Sequence, residues 1–268
     1  MPRREPAVPP VLELDRVTLV RDERTILDNV TWAVTAGQRW VVLGANGSGK
    51  TSLIRIASLY LHPSSGEVRV LGGRLGEVDV RTLRRRIGIA TAALTAEFRT
   101  ELTACDIVMT AKHAALEPWW HRYDDEDRAR AVACLDRFGM GSFAERSFGT
   151  LSSGEQQRVM LARSVMTDPG IVLLDEPSAR LDLGGREHLV GALADLAADR
   201  QAPPFVLVTH HVDEIPAGIT HALLLRGGRV LTAGLLDDTL TTEGISECFG
   251  TALHLERRAN GRFSAWAR

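Results

Sequence analysis

Stretches in which β-branched and apolar residues alternate with polar ones, or run unbroken, occur at Val11 to Val20, Leu27 to Val34, Arg39 to Leu43, Glu67 to Leu71, Ile87 to Thr91, Ile171 to Asp175, Phe205 to Thr209 and His221 to Leu231. They predict strands. Between several of them, apolar residues recur at helical spacing over Lys50 to Leu61, Arg81 to Arg86, Gly154 to Met166 and Arg186 to Arg200,. Strand and helix in alternation predict an α/β core with a parallel sheet. The earliest strands alternate strictly and are joined by the polar turn Arg21-Asp22-Glu23-Arg24, which predicts an antiparallel β layer,. From about residue 95 to 163 the rhythm breaks, leaving helical patterns at Thr103 to Leu116, Asp124 to Phe138 and after Ser152. This region is expected to be a helical subdomain inserted into one domain spanning 11–268. The proline-rich residues 1–10 are expected to form a flexible tail.

Chemistry enters at Gly44-Ala45-Asn46-Gly47-Ser48-Gly49-Lys50-Thr51, between the apolar run ending at Leu43 and the helical stretch from Ser52. A glycine-rich turn between strand and helix lets backbone N–H groups surround phosphates. Lys50 adds a point charge near the β and γ phosphates, and the Thr51 hydroxyl suits Mg²⁺. The bland alternative is a glycine-rich turn with a solvated lysine.

Bulk properties narrow the classes of partner. The net charge of −2 over 268 residues gives no global attraction to nucleic acid, and no nucleic-acid partner is expected,. Cys105, Cys134 and Cys248 lack the spacing of zinc or redox sites and read as reduced thiols of a cytoplasmic protein,. No apolar run approaches the roughly 20 residues that cross a bilayer, so any link to a membrane is expected to come through a partner.

Four downstream segments decide among phosphate-loop proteins. Ile171 to Leu174 leads into Asp175 and Glu176, two carboxylates at a strand end; the first suits Mg²⁺ and the second suits a base acting on water,. Leu151-Ser152-Ser153-Gly154-Glu155-Gln156-Gln157-Arg158 opens a helical stretch, with Ser152 as N-cap and Gly154 permitting close approach,. Ser178-Ala179-Arg180-Leu181-Asp182 follows the acidic pair, and Phe205 to Thr209 delivers His210.

In this order the segments resemble the phosphate loop, signature, acidic strand, D-loop and switch histidine of ABC (ATP-binding cassette) ATPases, from about Val11 to Val230. The resemblance implies a P-loop NTPase with an ABC ATPase-type core, binding ATP and Mg²⁺ and hydrolysing ATP. It implies that residues Gly44 to Ser52 hold the phosphates, that Thr51 and Asp175 serve Mg²⁺, and that Glu176 is the general base. Lys50 and His210 would hold the γ-phosphate. Each motif occurs once, so the resemblance implies a second cassette, supplied by a second copy of this chain, whose Ser152 and Gly154 close the site. It further implies a separate transmembrane permease subunit, with this chain peripheral on the inner face of the cell membrane. A cassette acting on a cytosolic assembly without transport is the alternative.

Two positions depart from the family pattern. After Thr91 the family has a glutamine that approaches Mg²⁺ and the attacking water; here stands Ala92, with Thr91, Thr95 and Glu97 nearby. The adenine-stacking aromatic of the turn after the first strand is replaced by Arg21, whose guanidinium can lie on a base face or remain solvated,. With the Ser-x-Gly-Glu-Gln signature and the doubled His210-His211, the altered position at Ala92 resembles a compact molybdenum-type subgroup. Glu117-Pro118-Trp119-Trp120-His121-Arg122-Tyr123, inside the helical region, offers either a docking patch or aromatics packed in the helical layer, with packing favoured,.

Overall fold

In this computed structural model, which describes residues 9–268, the N-terminal alternation folds into a hairpin; all but the last two residues of the expected tail lie outside the described residues. β1 (Leu12–Arg21) pairs antiparallel with β2 (Arg24–Val34), and Asp22 and Glu23 take φ of 48° and 61° in the turn. That left-handed pair matches the right-handed twist of a two-residue hairpin. β3 (Arg39–Leu43), buried throughout, leads through the glycine-rich loop into α1 (Lys50–Ala57). β4 (Ser65–Val70) and β5 (Gly73–Arg74) complete a four-stranded antiparallel sheet in the order β2-β1-β4-β5.

The chain then continues through α2 (Val80–Arg84), β6 (Ile87–Thr91), α3 (Ala92–Glu97), α4 (Ala104–Met109), α5 (Asp125–Arg137) and α6 (Ser153–Val165) to β7 (Ile171–Asp175). After α7 (Leu183–Ala198) come β8 (Phe205–Thr209), β9 (His221–Arg226) and β10 (Arg229–Leu235). The second sheet has the order β10-β9-β3-β8-β7-β6, parallel except for β10. β3, β7 and β8 carry unbroken apolar runs because both of their faces are covered,. The chain ends with α8 (Leu236–Thr239), α9 (Thr242–Phe249) and the hairpin β11 (Leu253–Arg257) and β12 (Phe263–Ala267).

Two cores flank the parallel sheet. One fills the space between the two sheets and α1, where Trp32 meets Trp40 edge to face at 5.5 Å. The other joins the opposite face to α4, α5 and α6 through residues such as Val159, Leu161, Ile107 and Leu135, all fully buried. At about 1.5–3 kcal/mol per buried aliphatic side chain, these contacts fix α6 against the sheet. A Cβ at Gly88 would stand 2.0 Å from the Ser164 carbonyl oxygen, so glycine in β6 is what admits α6 so closely.

Several expected elements are redrawn. His221 to Leu231 is a hairpin turning at Gly227 and Gly228. The helix expected over Thr103 to Leu116 stops at Met109 and tightens into a 3-10 turn, Thr110–His113, ended by Ala114 at φ 51°. α1 ends at Ala57, where the Ser58 hydroxyl donates back to the Ile54 carbonyl at 2.7 Å. Helix α3 and the elements after Leu235 were not expected from the pattern, because each is eight residues or shorter and the few side chains the later ones bury, such as Leu236, Ile245 and Phe263, set no period.

Candidate functional site

The strand order brings distant residues to one edge. β3, β8, β7 and β6 are neighbours, so the ends at Leu43, Thr209, Asp175 and Thr91 lie side by side at their carboxyl termini. In an open parallel sheet this is where ligands bind. The loop Gly44 to Gly49 curls over that edge. Gly49, at φ 102°, N-caps α1, and a Cβ there would meet Leu27 at 2.8 Å and the Ile26 carbonyl at 2.9 Å. β2 therefore presses the start of α1 into place, where the first-turn N–H groups of Lys50, Thr51 and Ser52 have no carbonyl of their own helix to bond and can take an anion.

Lys50 is 4% exposed, and its ammonium donates to the carbonyls of Gly44 at 2.8 Å and Ala45 at 3.1 Å. It lies 3.7 Å from Glu176 Oε1. Burial holds its pKa below the ordinary lysine value, while Glu176 and then Asp175 oppose that shift. Asp175 is pushed the other way: burial raises its carboxyl, the Thr51 hydroxyl bonded to it opposes, and the Glu176 charge adds to the rise. Asp175 Oδ1 and Ser48 Oγ are both buried without a hydrogen-bond partner. Buried polar atoms without partners cost about 1–3 kcal/mol each, so their presence here, beside a buried ammonium, suits a site that takes up a cation and an anion together. The hard oxygen donors Thr51 and Asp175 fit Mg²⁺.

Glu176 adopts φ 46°, a conformation a non-glycine residue holds only when its surroundings impose it,. Its N–H donates to the Val208 carbonyl at 2.9 Å, which ties it to β8. Its Oε1 meets His210 Nδ1 at 3.0 Å, and His211 lies against His210 with ring centroids 4.0 Å apart. His221 is elsewhere, stacked on Trp40 at 4.8 Å. A cavity of about 460 Å³ opens beside these groups, lined among others by Thr51, Asp175, Glu176, Ala92, Leu94 and Glu97. Ala92 begins α3, and the Thr91 hydroxyl is occupied in capping that helix at Leu94 N, 3.0 Å away. The Thr95 hydroxyl is likewise turned back, onto the Thr91 carbonyl at 3.0 Å.

Ser152 and Gly154 do not line this cavity, although Ser153, Gln156 and Gln157 of the same segment line a small cavity together with Ala92 and Glu176. Ser152 and Gly154 line a separate groove of about 450 Å³ with Arg158, Arg180 and His188. Ser152 caps α6, and Glu155 reaches back to the Ser152 N–H at 2.7 Å and hydroxyl at 2.9 Å, a complete capping box. Those bonds to Ser152 hold the Glu155 carboxyl below its usual range. Glu155 thus has a structural role at the start of α6, and the Ser-x-x-Glu spacing carried that signal,. Asp182 of the D-loop caps α7, accepting from Gly185 N at 2.7 Å.

Arg21 is exposed at the end of β1, opposite Arg24, and its side chain makes no hydrogen bond or ion pair among the described residues. Trp119 and Trp120 are 55% and 86% exposed, which corrects the favoured expectation that they pack inside the helical layer; only Tyr123 packs against the core. The Arg99 guanidinium covers the Trp119 ring at 4.6 Å. Two further groups were missed from the sequence. Glu214, 4% exposed, accepts from the Thr209 hydroxyl, and Arg262 in the C-terminal hairpin reaches back to the segment after His210. Neither belongs to a motif, so only the fold could reveal them.

Comparison with known proteins follows this geometry. A family model described as ABC transporter matches residues 27–179. The chain is 36% identical over 246 residues to the uncharacterized ABC transporter ATP-binding protein YlmA of Bacillus subtilis, covering 91% of this chain and 93% of that one. It is 30% identical to the phosphonates import ATP-binding protein PhnC of Rhizobium johnstonii, over 90% of this chain and 87% of that one. Among solved structures, the dimeric bacterial ABC transporter cassette MJ0796 superposes with a TM-score of 0.72 at 26% identity, over 84% of this chain and 98% of that one. The same cassette is known in a dimeric post-hydrolysis state bound to ADP and Pi.

Proposed function

This chain belongs to the ABC transporter family as an ATP-binding cassette, and on that premise we propose how its own residues carry the reaction and what they assemble with. The chain binds ATP and hydrolyses it to ADP and phosphate as the ATP-binding subunit of a transporter. The proposal assigns Gly44 to Ser52 to the phosphates, with Lys50 neutralising the β and γ oxygens. Thr51 and Asp175 would hold Mg²⁺, whose bound charge offsets that of the phosphate oxygens. Glu176 acts as general base toward the attacking water, and His210, 3.0 Å from its carboxylate, orients it and contacts the γ-phosphate,. Arg21 lies on the adenine face.

The observation that carries this reading is the contrast between unsatisfied buried atoms at Asp175 and Ser48 and the open, separate groove at Ser152 and Gly154. Ser152 and Gly154, which line a groove apart from their own chain's phosphate cavity, are placed to close a second copy's site. We therefore include a homodimer in the proposal, supported by the dimeric form of the similar cassette MJ0796.

A transmembrane permease is proposed as the further partner, with this chain in the cytoplasm and peripheral on the inner face of the membrane. Among the described residues no helix is long and apolar enough to cross a membrane. The exposed Trp119 and Trp120 stand next to a groove of about 540 Å³ lined by Arg81, Arg84, Arg85, His113 and His121, a surface suited to a partner with an acidic segment. Within the proposal the unit is one domain over 11–268 with its helical subdomain at about 95–163. Placement in the compact molybdenum-type subgroup rests on Glu155, His211 and Ala92 alone.

Glu176→Gln tests the assignment. It removes the base while keeping shape and hydrogen bonding, so hydrolysis should fall at least about a thousandfold while ATP binding persists. The variant should elute as a dimer in size-exclusion chromatography with ATP and as a monomer without it. Normal turnover would remove Glu176 from the role of base.

A further inference from the structure

We infer that Arg262, in the C-terminal hairpin, is a positioning residue for the switch histidine. The inference rests on the proposed role of His210. The turn between β11 and β12 is itself well fixed: Arg258 N–H donates to the Arg262 carbonyl at 2.7 Å, and Arg262 N–H donates to Asn260 Oδ1 at 3.1 Å. Phe263, which follows, is 4% exposed in the core beneath the parallel sheet. From this base the Arg262 side chain, 20% exposed, extends to two different elements. Nη2 donates to Glu187 Oε1 of α7 at 3.0 Å and to the Asp213 carbonyl at 2.5 Å, and Nη1 also pairs with Glu187.

Asp213 sits in the 3-10 turn Val212–Glu214 that begins two residues after His210. The same turn is gripped from its other side. Arg186, the α7 neighbour of Glu187, donates to Asp213 Oδ2 at 3.3 Å and lies 3.5 Å from Glu214 Oε1. The buried Glu214 accepts from the Thr209 hydroxyl, which in turn accepts from His211 N–H at 3.0 Å. The backbone on both sides of His210 is thus held by Thr209 and by the turn, and the turn is held by two arginines. One arginine belongs to α7, the helix capped by the D-loop residue Asp182; the other belongs to the C-terminal hairpin. A guanidinium forks to two acceptors in fixed geometry, which an ammonium cannot reproduce. The hairpin therefore braces the histidine against the helix that follows the D-loop. Without the brace, the turn after His210 keeps Arg186 and the bond from Thr209 to Glu214 but loses its tie to the hairpin, and the imidazole loses its fixed approach to Glu176.

The experiment uses the full-length protein and four variants, R262A, R262K, H210A and R262A/H210A. In R262A, kcat should fall about tenfold while KM for ATP stays within about twofold, the split expected when a transition-state contact is mispositioned and binding is intact. R262K keeps a charge near Glu187 but loses the fork, and should recover less than half of the lost rate. Hydrogen exchange should quicken in peptides covering 209–214 and remain unchanged over 44–51. In the H210A background, R262A should cause no further loss, because coupled residues are not additive. Wild-type kcat in R262A, equal loosening of both segments, or an additive loss in the double variant would each overturn the inference. If H210A itself turned over normally, the role of His210 would fail, and the inference with it; a slow H210A beside a normal R262A would sink the inference alone.

Discussion

Around Lys50 buried polar groups lack partners, whereas at Ser152 the capping groups lie at the surface and satisfy each other. Asp175 Oδ1 and Ser48 Oγ have no partner in the phosphate half. In the signature half, Ser152 and Glu155 exchange hydrogen bonds in a closed capping box. The difference reflects where each half finds its missing interactions. The phosphate half is held by β3, β7 and β8, buried on every residue, and such a frame can hold groups in an unfavourable state until ligand arrives,. The signature half sits on the exposed start of one helix, held by its capping box and by the Gln156 amide on the Phe148 carbonyl at 2.9 Å. In the proposed dimer it contributes chemistry only when the second copy covers it.

That contrast can be broken most directly at Lys50. Lys50→Ala leaves the paired carboxylates Asp175 and Glu176 without their buried cation and removes a charge from the phosphates. ATP affinity should drop about a hundredfold, as expected for loss of a charge-assisted contact in a desolvated site. A fluorescent-nucleotide titration measures it, and an unchanged Kd would mean that the backbone N–H groups alone hold the triphosphate.

Ser152→Ala probes the other half with a smaller effect. Nucleotide binding to the isolated chain should be unchanged, while hydrolysis falls about tenfold and the ATP-dependent dimer formed by Glu176→Gln is weakened. The lost cap should also lower stability by about 1 kcal/mol in urea denaturation. If Ser152→Ala weakened ATP binding to the monomer, the two halves would not be separable in the way the geometry indicates.

The smallest effect is expected at Glu155. Its folded pKa lies below the unfolded value of 4.5 because of its bonds to Ser152. A carboxylate depressed on folding adds stability above the unfolded pKa and loses that contribution as pH falls through the folded value. Glu155→Gln should therefore cost about 0.5 kcal/mol at neutral pH and flatten the acid limb of a stability-versus-pH curve. An unchanged acid limb would show that the capping box adds nothing beyond the serine.

Most of the residues proposed for catalysis stand out in the sequence because their chemistry is tied to local spacing. Gly44 to Thr51 must be contiguous to curl around phosphate, and Asp175 and Glu176 must end an apolar run to be carried to the sheet edge. Ala92 was legible as a departure, but not the helix α3 that it begins, since six residues with no buried side chain leave no period to read. The exposure of Trp119 and Trp120 was misread because aromatic character states a preference for burial and not the space available,.

The sequence by itself determined the family, the order of the motifs and the identity of the groups proposed to meet ATP, since each depends on residues within a few positions of one another. Tertiary structure alone decided that four strand ends far apart in the chain share one edge, and that Glu176 is held at φ 46° against His210. It also decided that a turn near the C-terminus reaches the switch segment through Arg262. Contacts across 34 or 49 residues leave no periodic trace in one chain, because they are set by the path of the backbone through the sheets and not by any local propensity,.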